Sequence, residues 1–253
     1  MKFFDNSFKL IALCIAVFTV VGCADESATE KSKEIEQLEA EVSELKAQFV
    51  KLNRNQKAIA EHIGLAGKPK QPKLVLEDSA IIGNKDAKVA LVEFTDLHCP
   101  FCKKFHDETL PLIKEKYIDT NQVLFVGKHF PIPSLHPNAG QASILLECAR
   151  KEVDYSTAKA WLFNKGRALN GDSVDELVAE LSLSKEEFMD CLAASETSAA
   201  INQDIALAKS IGIKSTPSFA VGTIENGEVV NWKTFSGAKS IEQFSEAIDI
   251  YLQ

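Results

Sequence analysis

Apolar residues recur every three or four positions from Ile35 onward: Ile35, Leu38, Val42, Leu45, Phe49, Leu52, Ile59 and Ile63, with Gln56 the one polar member of the series. Spacing that alternates between three and four over several heptads marks a coiled-coil seam, narrower than the stripe of a helix lying on a globular core. Residues 28–63 therefore read as one long helix, and Ser27 with Glu30 can form a capping box at its start. With Ile35 at position a, the d positions are Leu38, Leu45, Leu52 and Ile59, and Gln56 sets an amide in the seam where it can fix register. The seam predicts a homo-oligomer, dimer or trimer. Flanking charges do not choose between them, since Glu41 can meet Lys46 but Glu34 faces Glu39. A helix folded back on its own domain and a solvated spacer are the other readings of this stripe. Gly64, Gly67, Pro69 and Pro72 make residues 64–73 a short, partly stiff linker.

Ahead of that helix, Lys2 and Lys9 precede an apolar run over residues 10–22. The run is too short for a bilayer span of ~20 residues and fits a secretory signal. It ends in Val20-Val21-Gly22-Cys23, which resembles a bacterial lipobox. Residues 1–22 are thus expected to be a lipoprotein-type signal peptide and Cys23 the lipidated residue, with Ala24 after it pointing to the outer membrane. An uncleaved anchor or plain secretion also fits the run. In either case the mature chain is exported and faces the periplasm, where disulfides persist.

Residues 74–253 read as one domain. Val89 to Phe94 is a buried-strand run, followed by a helix from Cys99 to Tyr117 that is bent or broken at Pro111. A second strand runs from Val123 to Phe130. Between about 138 and 211 there are amphipathic helices and hardly a strand signal. Pro217 to Val221 and Val229 to Phe235, joined through Asn226-Gly227, read as a hairpin, and Ile241 to Leu252 as a closing helix. The order β-α-β, helical block, β-β-α is that of an α/β thioredoxin fold with a helical insertion.

Composition narrows the function. The 253 residues are 45% hydrophobic and 25% charged, which excludes a wholly disordered, collagen-like or multi-span membrane chain. A net charge of -8 argues against nucleic acid as the main partner. Six cysteines are too few for a disulfide-built scaffold, so their placement carries the information. Cys99-Pro100-Phe101-Cys102 sits where a buried strand hands over to a helix, and the amides at a helix start stabilise a thiolate. The Cys99 pKa is expected to fall by roughly 1–5 units. Pro100 suits the first helical turn, and Cys102 lies one turn on, able to close a disulfide with Cys99, so that Cys99 is expected to be an exposed attacking thiol and Cys102 a shielded resolving one. The same pair with His98 is a metal-binding candidate, but a zinc site usually takes four ligands and there is no second CxxC or HxxxH. Glu93 interrupts an apolar strand and Lys128 follows one. A buried charge needs a partner, unless Glu93 points to solvent from an edge.

The stretches Glu93-Phe94-Thr95-Asp96-Leu97-His98-Cys99-Pro100-Phe101-Cys102, Lys128-His129-Phe130-Pro131 and Gly212-Ile213-Lys214-Ser215-Thr216-Pro217-Ser218-Phe219 resemble the DsbA-like thiol–disulfide oxidoreductases, over nearly all of 74–253. The resemblance implies that Thr216-Pro217 is a cis bond beside the CxxC and, with Pro100 and Phe101, receives the substrate peptide. It implies that Glu93 and Lys128 lie beneath the CxxC and help move its protons. It also implies that Cys148 and Cys191 pair, two separate buried thiols being the alternative. The long N-terminal helix is similar to that of oligomeric, ScsC-like branches that reshuffle disulfides. The function expected is an envelope-anchored oxidoreductase that forms or reshuffles disulfides in exported proteins, using a membrane redox partner and no organic cofactor. The alternatives are a copper- or other metal-handling lipoprotein that uses the CxxC as ligands, and a structural lipoprotein that only binds partners.

Overall fold

The computed structural model describes residues 33–56, 58–59, 71–76, 78–170 and 172–253. The expected signal segment, Cys23, the two ends of the 28–63 helix and most of the linker lie outside the described residues. Two compact units are present, Met1–Lys70 and Gln71–Gln253. In the first, residues 33–56 and 58–59 are helical (α1). The residues of the expected seam, Ile35, Leu38, Val42, Leu45, Phe49, Leu52 and Ile59, are 47–64% exposed on the single chain.

In the second unit six strands form one sheet: β1 (Leu74–Val75), β2 (Ala80–Ile82), β3 (Val89–Thr95), β4 (Val123–His129), β5 (Ser218–Glu225) and β6 (Glu228–Ser236). Their order is β1-β6-β5-β3-β4-β2, with β3 and β4 parallel and all other neighbours antiparallel. The expected hairpin is β5–β6. Asn226 and Gly227 both have positive φ, 50° and 76°, as a two-residue turn between twisted strands requires. β1 and β2 were not expected, because two or three residues are too few to show a period of two.

All seven residues of β3 are buried, since both sheet faces are covered. One face carries Leu91, Phe125 and Phe219. Against it pack α2 (Pro100–Lys104) with its continuation α3 (Leu110–Ile113), and the closing helix, which is α9. The Phe105 ring lies 4.6 Å from that of Phe219 and 5.3 Å from that of Phe244, centre to centre, both pairs tilted. The other face carries Ala90, Val92, Phe94, Leu124, Val126 and Trp232 under Ala208 and Ile213. The helix after the CxxC does not break at Pro111. It widens into π turns at Phe105–Thr109 and Lys114–Ile118. The first puts the Leu110 N–H on the Phe105 carbonyl, five residues back, just before the proline that cannot donate.

The insertion consists of α4 (Ala139–Ala149), α5 (Tyr155–Lys165), α6 (Ser173–Glu180), α7 (Lys185–Ala193) and α8 (Ser195–Ser210); α9 is Ile241–Leu252. Cys148 of α4 and Cys191 of α7 are joined by a disulfide. α5 reaches the sheet at Gly127. A Cβ placed there would lie 2.1 Å from the Tyr155 hydroxyl, so only glycine admits this ring. Gly127→Ala should therefore destabilise the protein by about 1–3 kcal/mol through overpacking. Urea unfolding measures this, and an unchanged midpoint would show that the Tyr155 contact is not tight.

Candidate active site at the start of α2

The sheet's central strand ends at Thr95, and four residues later the chain enters α2 with Cys99 at its N-cap in an extended conformation, φ -79° and ψ 121°. Pro100 is the first helical residue, where its missing N–H costs nothing. Cys99 keeps 6% of its surface exposed and Cys102 none, and both are thiols. The first cysteine is thus more enclosed than its place in the sequence suggests. Next to them Phe101 stands 62% exposed. The Thr216–Pro217 bond is cis, and the Cys99 thiol donates to the Thr216 carbonyl at 3.4 Å. Cys99, Cys102, Pro100, Phe101, Thr216 and Pro217 therefore converge on one spot.

The two thiols are tuned in opposite directions. Cys99 is lowered to about 5, chiefly by a hydrogen bond from the Cys102 side chain; burial opposes this, and the side chain of Thr216 and the N–H groups of Cys102 and Phe101 support it. Cys102 is raised well above the ordinary thiol range by burial first, then by Cys99 and by the charge of Glu93. Near neutral pH the pair is one thiolate and one thiol.

Beneath them Glu93 is fully buried on the same sheet face and forms an ion pair with Lys159 of α5, also fully buried. The Lys159 ammonium lies 5.3–5.7 Å from the ring centres of Tyr155, Phe125 and Phe163. Burial works against its charge, but Glu93 and Tyr155 more than offset this, and its pKa is raised. Burial also pushes the Tyr155 phenol up to about 12. His106, 5.1 Å from the Phe163 ring, is lowered to about 4 by burial and then by Lys159. The second oxygen of Glu93, Oε1, has no hydrogen-bond partner among the described residues.

Lys128 is not the lysine under the CxxC. It follows Val126 in alternation on β4, so its side chain leaves the opposite sheet face, where it pairs with Asp204 of α8 at 2.9 Å. Glu93 faces Gly127 across the ladder instead. The lysine that matters was missed in the sequence, although Tyr155, Lys159 and Phe163 recur at helical spacing on one apolar stripe, which marks a buried cation. Asp96 and His136 were missed as well; the Asp96 N–H donates to Cys102 Sγ at 3.5 Å. Among the described residues, no group of three or more His, Cys, Asp and Glu is arranged to hold a metal ion, and no helix is long and apolar enough to cross a membrane.

The profile of the thioredoxin family matches residues 76–250. A putative protein-disulfide oxidoreductase of Rickettsia bellii is 29% identical over 187 residues, which cover 69% of this chain and 69% of that protein. Other relatives from that genus are matched over only 61–62% of their own length, less than two thirds. Among solved structures, Wolbachia pipientis alpha-DsbA1 is similar with a TM-score of 0.62 at 26% identity, covering 71% of this chain and 93% of that one. The catalytic domain of Proteus mirabilis ScsC gives 0.54 at 26% identity, covering 78% and 97%.

A thiolate favoured by the fold makes stability depend on pH. The folded pKa of Cys99 lies below its unfolded value, so the reduced protein gains stability as pH rises from about 5 and loses it as pH falls through about 5. The Cys99–Cys102 disulfide form has no such thiolate. Urea unfolding of both forms at pH 4 and pH 8 should show the reduced form gaining on the oxidised one at the higher pH. An equal difference at both values would mean that Cys99 is not tuned.

Proposed function

The chain belongs to the thioredoxin family, its second unit being of the DsbA-like thiol–disulfide oxidoreductase kind, and from that premise we propose that it forms or reshuffles disulfides in exported proteins from a lipid anchor in the bacterial envelope. The observation that carries this reading is the Cys99 thiol at a helix start, beside the cis Thr216–Pro217 bond. An extended substrate segment pairs with the backbone at Thr216, which brings its sulfur to Cys99.

In the reducing direction the Cys99 thiolate attacks a substrate disulfide, forming a mixed disulfide and expelling one substrate thiolate. Cys102 then loses its proton and attacks Cys99 Sγ. The second substrate sulfur leaves as a thiolate, and two electrons have passed from the CxxC to the substrate. Oxidation is the reverse, and reshuffling returns the Cys99 thiolate without net electron transfer. The buried Cys102 thiol needs a base, and Glu93 Oε1 supplies it while Lys159 keeps the carboxylate from standing uncompensated.

The leader, the lipid on Cys23 and the 28–63 helix complete the reading. The helix gathers two or three copies, so that several CxxC sites act on one substrate at high effective concentration, which favours reshuffling over simple oxidation. A membrane redox partner resets the CxxC.

If Cys99 attacks and Cys102 resolves, Cys102→Ala traps mixed disulfides with exported proteins and Cys99→Ala traps few. Equal trapping by both variants would sink the assignment. A chain restricted to 71–253 should be monomeric by light scattering, keep insulin reduction, and lose most repair of scrambled disulfides. A protein starting at Ala24 that is itself monomeric would refute the oligomer.

A further inference from the structure

Asp96 has no exposed surface, and each of its polar atoms is bonded. Oδ1 accepts from the His98 N–H at 2.8 Å. Oδ2 accepts from the Ile132 N–H at 2.8 Å and lies 2.9 Å from His136 Nδ1. A carboxylate only accepts, so Nδ1 carries the hydrogen. On the backbone, the Asp96 carbonyl accepts from the Cys99 N–H at 3.0 Å, and the Asp96 N–H points at Cys102 Sγ. The first set of bonds fixes the turn that delivers Cys99. The second fixes residues 130–138, where the Leu135 and His136 N–H groups fold back on the Ile132 carbonyl and Leu135 stands 66% exposed.

We infer that Asp96 is a positioning residue of the exchange reaction, its one carboxylate locking the Cys99 turn to the 130–138 segment, with His136 as the tether on the segment's side. The inference rests on the exchange reading above. Both oxygens face donors, so an acceptor-only group of this length is required. Asparagine has the same shape but turns one oxygen into an NH2 that meets a donor. With the turn loosened, the N–H groups of Phe101 and Cys102 no longer aim at Cys99 Sγ. With the tether cut, the turn stays in place but the segment carrying Leu135 no longer holds one position beside the CxxC for a substrate protein.

The test uses the full chain. In Asp96→Asn the midpoint of the Cys99 thiolate absorbance should move up from about 5, and the glutathione equilibrium should move toward the disulfide, roughly tenfold for each unit. Loss of a negative charge alone would move the midpoint down, so a folded variant with an unchanged or lower midpoint overturns the inference. His136→Phe keeps the carboxylate and the turn. It should leave the midpoint as it was and raise KM for a scrambled protein substrate several-fold, and an unchanged KM overturns the tether. This second variant decides alone if Asp96→Asn does not fold. Wild-type protein that does not exchange with glutathione would overturn the exchange reading itself, whereas exchange by wild type with equal behaviour of both folded variants would overturn only the role of Asp96.

Discussion

A carboxylate in the central strand of a sheet covered on both faces must be neutralised from within the protein, and the rest of the site follows from how this one is. Glu93 meets Lys159, and neither has any exposed surface. Removing one member of such a pair typically costs about 3–5 kcal/mol because the other charge is left stranded. The lysine therefore ties α5, and with it the helical insertion, to the strand that leads into the CxxC. Tyr155 shares the same helix face, and Gly127, opposite Glu93 in the ladder, makes room for its ring. The insertion is thus part of the active site, built into its floor rather than laid over it.

Above that floor, two identical side chains three residues apart acquire opposite character from the hydrogen bonds around one and the burial of the other. Cys99 sits at the N-cap, where hydrogen bonds from Cys102, Thr216 and the first helical amides favour a thiolate. Cys102 lies one turn deeper, where burial, its neighbour's charge and Glu93 all favour the thiol. This difference supports the proposed order, in which Cys99 attacks and Cys102 resolves. The turn that presents the helix start is held by Asp96, a wholly buried carboxylate three residues before Cys99.

Much of this domain could be read from the chain. β3, β4, the β5–β6 hairpin and α9 fall where alternation, apolar runs, Asn226-Gly227 and helical periodicity put them, and the β-α-β, helical, β-β-α order is that of the thioredoxin fold. The edge strands β1 and β2 were invisible because they owe their conformation to β6 and β4 rather than to any pattern of their own. Pro111 signalled a disturbance in its helix, but not that a π turn would absorb it.

The candidate site divides along the same line. The CxxC at a strand-to-helix junction and the charge placed inside β3 are local facts, set by residue order and by the periods of strand and helix, so the sequence determined them by itself. Which cation answers Glu93 is not local. Lys128 is nearer in sequence, yet the period of two in β4 sends it through the opposite face to Asp204. Lys159, 66 residues from Glu93, arrives only because α5 packs across Gly127. The partners of Asp96 are likewise 36 and 40 residues away. Tertiary structure decided these pairings, because a buried charge takes the partner that packing brings within hydrogen-bond reach, and sequence distance does not measure that reach.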